Sequence, residues 1–186
     1  MWFASIWIFT LQLPWVLGAD FFLRHLKDAD PASNTLSWRW VAGLHTTGKT
    51  YLATRENISR YTNGMFSPSG LATEAIPLCD PYVETSRIPT ASKWNDIRQH
   101  ALLLITDEDM HPESIFADFM LFSSALVAVD PTLLFGNNAR LFTNTAATDV
   151  AERLTTNMGF SVEQLNRLES DEILSAAHSA GARLVV

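Results

Sequence analysis

The sequence predicts an α+β fold, in which a helical first part is followed by strands that alternate with helices. Three observations support this class: apolar residues recur at helical spacing over residues 1–60, prolines crowd the next thirty or so positions, and short apolar runs appear after residue 100. Strands that alternate with helices are typical of a parallel sheet. We therefore expect a helical segment at 1–60, a proline-rich linker or wrapping segment at 61–98, and an incomplete α/β segment at 99–186.

The first part is interpreted as three helices. Residues 1–12 form an aromatic-rich run that is apolar on most faces, and a second helix is expected to begin near Pro14. Asp30 followed by Pro31 is a strong start signal, because an acid at the N-cap satisfies free N–H groups and proline is well suited to the first helical position. The third helix should therefore run from Pro31 to about Ala42 and end at Gly43.

The second part is interpreted as a parallel strand and helix arrangement. Glycines are expected to close both of its helices, and a capping-box sequence that begins at Ser161 is expected to open the second one. The predicted strands are 101–106, 124–130 and 182–186, and the predicted helices are about 145–158 and 161–180.

Charge is distributed unevenly along this globular composition. The net charge of the 186 residues is −7, but residues 1–60 hold six basic and four acidic side chains, a balance of +2, which leaves −9 for the rest. The first part can therefore face a phosphate backbone. The single cysteine, Cys79, excludes an internal disulfide framework and favours a reducing, cytoplasmic location.

The uncharged opening of the chain, residues 1–18, is similar in composition to a targeting or membrane segment. It has no basic region before the apolar stretch, Pro14 interrupts it, and Asp20 with Arg24 closes it early for a span. A buried helix is the favoured interpretation over a membrane or export segment.

Three residues of the third helix suggest a binding face. Asn34 and Trp38 are four residues apart and project together, whereas Trp40 is turned by about 200° from Trp38 at 3.6 residues per turn. An amide and an indole on one face suit a planar cofactor, and the second indole suits another planar ligand. The alternative is that both tryptophans only pack in the core and that Asp30 is only an N-cap. The spacing alone favours that alternative.

The stretch "MWFASIWIFTLQLPWVLGADFFLRHLKDADPASNTLSWRWVAG" also resembles the C-terminal part of the FAD-binding domain of the DNA photolyase/cryptochrome family. The Asp-x-Asp pair, the Asn four residues before Trp, the Trp-x-Trp pair and Trp15 follow the family's order and spacing. The resemblance is clearest over residues 1–60.

This resemblance implies FAD as the cofactor and damaged DNA as the partner. The family uses light to transfer an electron from reduced FAD to a pyrimidine dimer, which is presented to the site by base flipping. By resemblance, the flavin is held by Asp28, Ala29, Asp30, Asn34 and Trp38, Asn34 faces its N5, Trp38 and Trp15 carry electrons, and Trp40 and Met1 contact the lesion.

Several parts of the family are missing from the sequence, including the loop that holds the flavin phosphates and the outermost tryptophan. We therefore expect a fragment, for which a second chain would supply the missing half of the site. Two alternatives stay open. One is a cryptochrome-like light receptor without repair activity, and the other is a non-enzymatic structural module.

A metal site is not expected. Asp107, Glu108, Asp109 and His111 could ligate a divalent cation, but acidic loops after strands are usually only solvated. His25 and His45 have no partner that the sequence can place.

Overall fold

The computed structural model of the chain describes residues 1–46, 48–81, 86–88, 90, 100–116 and 122–186. The chain divides into two compact units, Met1–Arg87 and Ile88–Val186. Helices form the first unit, and a parallel sheet with helices forms the second, which confirms the α+β class. Part of the proline-rich segment expected at 61–98 falls on 82–85, 89 and 91–99, outside the described residues.

The first unit is built from short helices. They are α1 (Trp2–Ser5), a π-helical turn (Ile6–Thr10), α2 (Trp15–Leu23), α3 (Pro31–Ala42) and α4 (Arg55–Tyr61). The α3 boundaries are those predicted, with Asp30 as N-cap and Gly43 at a φ of +83° after the last turn. The helix expected over 1–12 spans Trp2–Thr10, and from Ile6 it is π-helical, because Leu11 N–H donates to the Ile6 carbonyl (2.9 Å).

The second unit is a four-stranded sheet in the order β3-β2-β1-β4, and each neighbouring pair is parallel. Its elements are β1 (Ala101–Ile105), β2 (Phe122–Ala128), α5 (Asn137–Met158), β3 (Ser161–Leu165), α6 (Ser170–Ser179) and β4 (Leu184–Val185), with short 3₁₀ turns at Pro112–Ser114 and Pro131–Leu133. The predicted parallel sheet is thus confirmed.

The prediction of a helix at 161–180 is wrong over its first part. Residues Ser161–Leu165 form β3, and the helix begins at Ser170. The capping-box letters are equally compatible with a polar edge strand. Pairing with β2, in which Ser124 lies opposite Ser161 and Ala128 opposite Leu165, satisfies the backbone groups of both strands and overrides the local signal. The preceding helix, α5, also begins earlier than expected, at Asn137.

Helices cover both faces of this sheet. Leu103, Ile105 and Val127 pack against α5 through residues such as Val150 and Leu154. Leu102, Leu126 and Ala128 pack on the opposite face against Ala176 and Ala177 of α6. The sheet therefore lies between two helical layers, the arrangement expected for parallel strands. None of the helices in the described ranges is long and apolar enough to cross a membrane.

Candidate functional site

A cavity of about 280 Å³ in the first unit lies between Met1, the end of α2 and one face of α3; we call it the α3 cavity. Its lining includes Phe22 and Val41 as apolar walls. It brings together five residues that the sequence singles out: Met1, Asp28, Asp30, Asn34 and Trp38. Three other singled-out residues, Trp15, Ala29 and Trp40, do not line it.

Asp30 positions the start of α3 within this cavity. Its Oδ1 accepts hydrogen bonds from the N–H groups of Ala32 (2.8 Å) and Ser33 (3.1 Å). Asp30 is therefore an N-cap in fact, and its second carboxylate oxygen has no hydrogen bond within the described part of the chain. Asp28 is exposed and likewise has no partner there. Between them, Ala29 is buried with a φ of +44°, so the chain turns sharply from one acid to the other.

Asn34 is held at the wall of the α3 cavity by one hydrogen bond. Its side chain is 6% exposed, and its Nδ2 donates to the Ala19 carbonyl of α2 at 2.8 Å. No second bond of this side chain is found among the described residues. Its Oδ1 is therefore left to accept a hydrogen bond from whatever enters the cavity.

Trp38 is the most constrained aromatic residue of the site, with 3% exposure. Its ring makes edge contacts with Phe22 (centroids 5.4 Å apart), Phe3 (6.2 Å) and Trp7 (6.5 Å). The indole also lies directly on Gly18 of α2, where a Cβ atom would come within 2.3 Å of the Trp38 Cη2 atom. Sequence reasoning missed Gly18, since a close approach between helices leaves no local signal beyond the glycine itself.

Trp40 occupies the other side of α3, as the helical pitch predicts. It is 39% exposed and stacks on Tyr51 with ring centroids 6.2 Å apart. Tyr51 in turn lines a second, open cavity with Met1 and Tyr61, which we call the tyrosine cavity. Sequence reasoning missed both tyrosines, whose positions depend on the fold after α3. Met1 lines both cavities and so lies at their boundary.

Trp15 lies apart from the α3 cavity, at the start of α2. The Arg39 guanidinium carbon is 5.7 Å from the centroid of its ring, and Arg39 forms an ion pair with Asp80 (2.6 Å). Within the described residues, the tryptophan that contacts Trp38 is Trp7, whose indole N–H donates to the Pro14 carbonyl at 2.9 Å.

No group of three or more His, Cys, Asp or Glu side chains placed to hold a metal ion is found in the part of the chain that the structure describes. The side chains of Asp107, Glu108, Asp109 and His111 are exposed after β1, and His25 and His45 are also exposed.

Residues 1–69 match the FAD binding domain of DNA photolyase. This family match confirms the resemblance noted in the sequence and implies FAD as the cofactor. Two deoxyribodipyrimidine photo-lyases are similar over shorter stretches. That of Agrobacterium fabrum is 50% identical over 40 residues, or 22% of this chain and 8% of the relative. That of Streptomyces griseus is 49% identical over 43 residues, or 23% and 10%.

The chain therefore matches about a tenth, or less, of the length of these photolyases. No solved structure matches the chain significantly. The photolyase-like segment includes the whole lining of the α3 cavity, because every lining residue lies between Met1 and Val41.

The α3 cavity fits part of a flavin. Ligand pockets in proteins usually measure about 300–1,000 Å³, and this cavity, at about 280 Å³, has room for one planar ring system and not for a whole dinucleotide. Its walls combine apolar side chains with the uncommitted Asn34 oxygen and two carboxylates. Apolar walls with a few polar groups suit a heteroaromatic ring whose edge carries hydrogen-bonding atoms.

Proposed function

We propose that the α3 cavity binds the ring system of FAD, and that the chain belongs to a photolyase-type protein that uses light to transfer an electron to pyrimidine dimers in DNA. The convergence of Asp28, Asp30, Asn34 and Trp38 on one cavity inside the photolyase-like segment carries this proposal. Bound FAD would supply the absorption of light and the one-electron chemistry.

Each residue of the cavity has a distinct part in this proposal. Asn34 is fixed by Ala19 and offers its Oδ1 to the ring edge near N5. Asp30 holds α3 in place and offers its second oxygen, while Asp28 and Ala29 complete the turn beside it. Trp38 closes one wall and excludes water, because its ring is almost fully buried.

The tryptophans are proposed to carry electrons. Trp38 would give one electron to light-excited FAD held in the cavity and so be oxidised, and Trp15 would return an electron to Trp38 and be left oxidised itself. Trp15→Phe tests the second step: transient absorption of the FAD-loaded protein should show an oxidised tryptophan that recombines faster than in the wild type. Unchanged recombination would contradict the role of Trp15.

The lesion is proposed to contact Met1, at the boundary of the two cavities, and Trp40, which lines neither cavity but stacks on Tyr51 of the tyrosine cavity. Trp40 offers an exposed ring face on which a flipped base can stack, and Met1 lies on both cavities. The +2 balance of residues 1–60 permits an approach of the phosphate backbone, and the Arg60 guanidinium lies over Tyr61 beside the tyrosine cavity.

Additional polypeptide, such as a second chain, is proposed to complete the flavin site. Phe3 and Phe21 stack with centroids 5.9 Å apart and are both exposed, and Val16 and Leu17 are exposed on the same helix as Phe21. An exposed aromatic and aliphatic surface of this kind suits a protein partner. A cytoplasmic location is part of the same proposal, and it is supported by the single cysteine.

The first experiment is a titration of the purified chain with FAD, followed by flavin fluorescence. We expect saturable quenching that weakens about tenfold in Asn34→Ala and in Trp38→Phe. Trp40→Phe is the matched control, because it changes the same residue type on the other side of α3 and should bind FAD as the wild type does. Equal binding by all four proteins would contradict the assignment of the α3 cavity.

Repair is tested separately, on reduced, FAD-loaded protein mixed with dimer-containing DNA under illumination. We expect the dimers to disappear, and Trp40→Ala to slow their loss at unchanged FAD affinity. Photoreduction with intact dimers would select the light-receptor alternative.

A further inference from the structure

A second candidate site lies in the α/β unit, at the carboxyl ends of β2 and β3. A cavity of about 380 Å³ opens there under α5, and we call it the sheet-edge cavity. The carboxyl edge of a parallel sheet is where α/β proteins usually bind ligands, because the strands end there and the loops leave a crevice. Nothing in the photolyase-like segment contributes to this cavity, so it is independent of the flavin site.

The lining of the sheet-edge cavity is polar but carries no charge. Its side chains include the amides of Asn144, Gln164 and Asn166 and the hydroxyl of Thr148. All three amides are exposed, and none makes a hydrogen bond within the part of the chain that the structure describes, so a ligand need only replace water at their donors and acceptors. The Thr148 hydroxyl donates to the Asn144 carbonyl (3.0 Å) and keeps its acceptor capacity.

Gln164 lies near the carboxyl end of the edge strand β3. It pairs with Val127 and so projects on the same side of the sheet, the side that packs on α5. Val162, two residues earlier on the same side, packs against the apolar core as expected. Gln164 is itself exposed at the end of this edge strand, so a ligand in the cavity can reach its amide.

Beneath the amides, the cavity has an apolar floor. Val127, Val129 and Ala147 line it and are at most 4% exposed. Amides around an apolar floor match a planar ligand that has donors and acceptors along its edge. Side-chain amides recognise adenine through paired hydrogen bonds to N6 and N7, and an apolar floor suits the face of the ring.

The charges argue against an anionic ligand. No Lys or Arg lines the cavity, and Asp130 lies between two lining residues, Val129 and Pro131. Hydrogen bonds from Thr132 and the charge of Arg167 hold the pKa of Asp130 below its ordinary value, so a carboxylate and a guanidinium lie close together beside the cavity and give a phosphate no net attraction. A divalent cation is also disfavoured, since no carboxylate lines the cavity.

We propose that the sheet-edge cavity binds an uncharged purine nucleobase or nucleoside of the adenine type. The edge of the base forms hydrogen bonds with Asn144, Gln164 and Asn166. Its face packs on Val127, Val129 and Ala147.

The test is a titration of the ¹⁵N-labelled full chain with adenosine, monitored through the side-chain NH₂ signals. We expect saturable shifts of the Asn144, Gln164 and Asn166 signals. The affinity should fall about tenfold in Gln164→Ala and in Asn166→Ala, because each removes a paired contact. Asn138→Ala, on an exposed amide of α5 outside the cavity, should bind as the wild type does.

Two further ligands sharpen the assignment. AMP should bind no more tightly than adenosine, and glucose should not shift these signals. The absence of saturable shifts, equal shifts with glucose, or tighter binding of AMP would overturn the proposal. Asn34→Ala should leave adenosine binding unchanged, so a loss of adenosine binding there would instead assign it to the flavin site and overturn this one. The outcome does not depend on whether the chain holds FAD.

Discussion

Trp38 and Trp40 are two residues apart on α3, yet their surroundings differ completely. Trp38 is 3% exposed and is enclosed by three aromatic rings and a glycine, whereas Trp40 is 39% exposed and stacks on a single tyrosine. One helix therefore holds one indole rigidly and leaves the other accessible to a ligand. A rigid wall suits a resident cofactor, and an accessible ring suits a ligand that comes and goes.

The largest expected effect comes from truncating each indole. Trp38→Ala should lower the free energy of unfolding by about 3–5 kcal/mol, because it removes a buried aromatic side chain and leaves a cavity. Trp40→Ala should cost about 1 kcal/mol, the scale of a single ring pair. Urea unfolding of both variants measures the difference, and equal losses would end the contrast between the two sides of α3.

Gly18 provides the next test, since it permits the close approach of α2 to Trp38. Gly18→Ala should destabilise the protein by about 1–3 kcal/mol, because the new Cβ overlaps the indole ring. Trp38→Phe in the same chain should recover part of that loss, and a double-mutant cycle measures the coupling. Purely additive losses would show that the two residues do not meet.

Substitutions of Asp30 distinguish its role as a helix cap from a role in binding the cofactor. Asp30→Ala should cost about 1 kcal/mol, since it removes the acceptor for two N–H groups at the start of α3. Asp30→Asn keeps an acceptor oxygen and should retain most of the stability. If Asp30→Asn nevertheless weakens FAD binding, the charge itself serves the cavity; if it binds FAD as the wild type does, Asp30 acts only as a cap.

The smallest expected effect concerns a carboxylate held in an ion pair, that of Glu113, which Arg153 contacts. Burial alone would raise the pKa of Glu113, but hydrogen bonds from its own backbone N–H and from Arg153 lower it below the ordinary 4.5. Because the folded-state pKa is lowered, this contribution to stability is present above pH 4.5 and is lost as the pH falls through the lowered pKa.

As the pH is lowered below 4.5, the thermal midpoint should therefore fall less in Glu113→Gln than in the wild type. Asp28→Asn is the control, as the exposed Asp28 has no partner among the described residues. A pH profile of Glu113→Gln that coincides with that of the wild type would contradict the role of this ion pair.

Local signals predicted α3 and its faces well. Asp30, Pro31 and Gly43 fix the helix through capping and backbone preference, and the helical pitch then determines that Asn34 and Trp38 share a side. These effects act within a few residues, so the sequence carries them directly.

Long-range contacts explain what the sequence did not predict. The β3 strand forms at Ser161–Leu165 because this segment pairs with β2, which is distant in sequence. Residues near 161 therefore carry no local signal for a strand. Gly18 and Tyr51 matter only through residues distant in sequence, Trp38 and Trp40 respectively. The sheet-edge cavity likewise requires α5 and two strands to be in place together.

The strand order β3-β2-β1-β4 has a consequence for folding order. Ala101 of β1 pairs with Leu184 of β4, so this edge of the sheet forms only after almost the entire second unit has been brought together. The contacts around Trp38 span far shorter stretches of chain, from Phe3 to α3. Since contacts between distant residues form slowly, the aromatic cluster should acquire hydrogen-exchange protection during refolding before the β1–β4 ladder does.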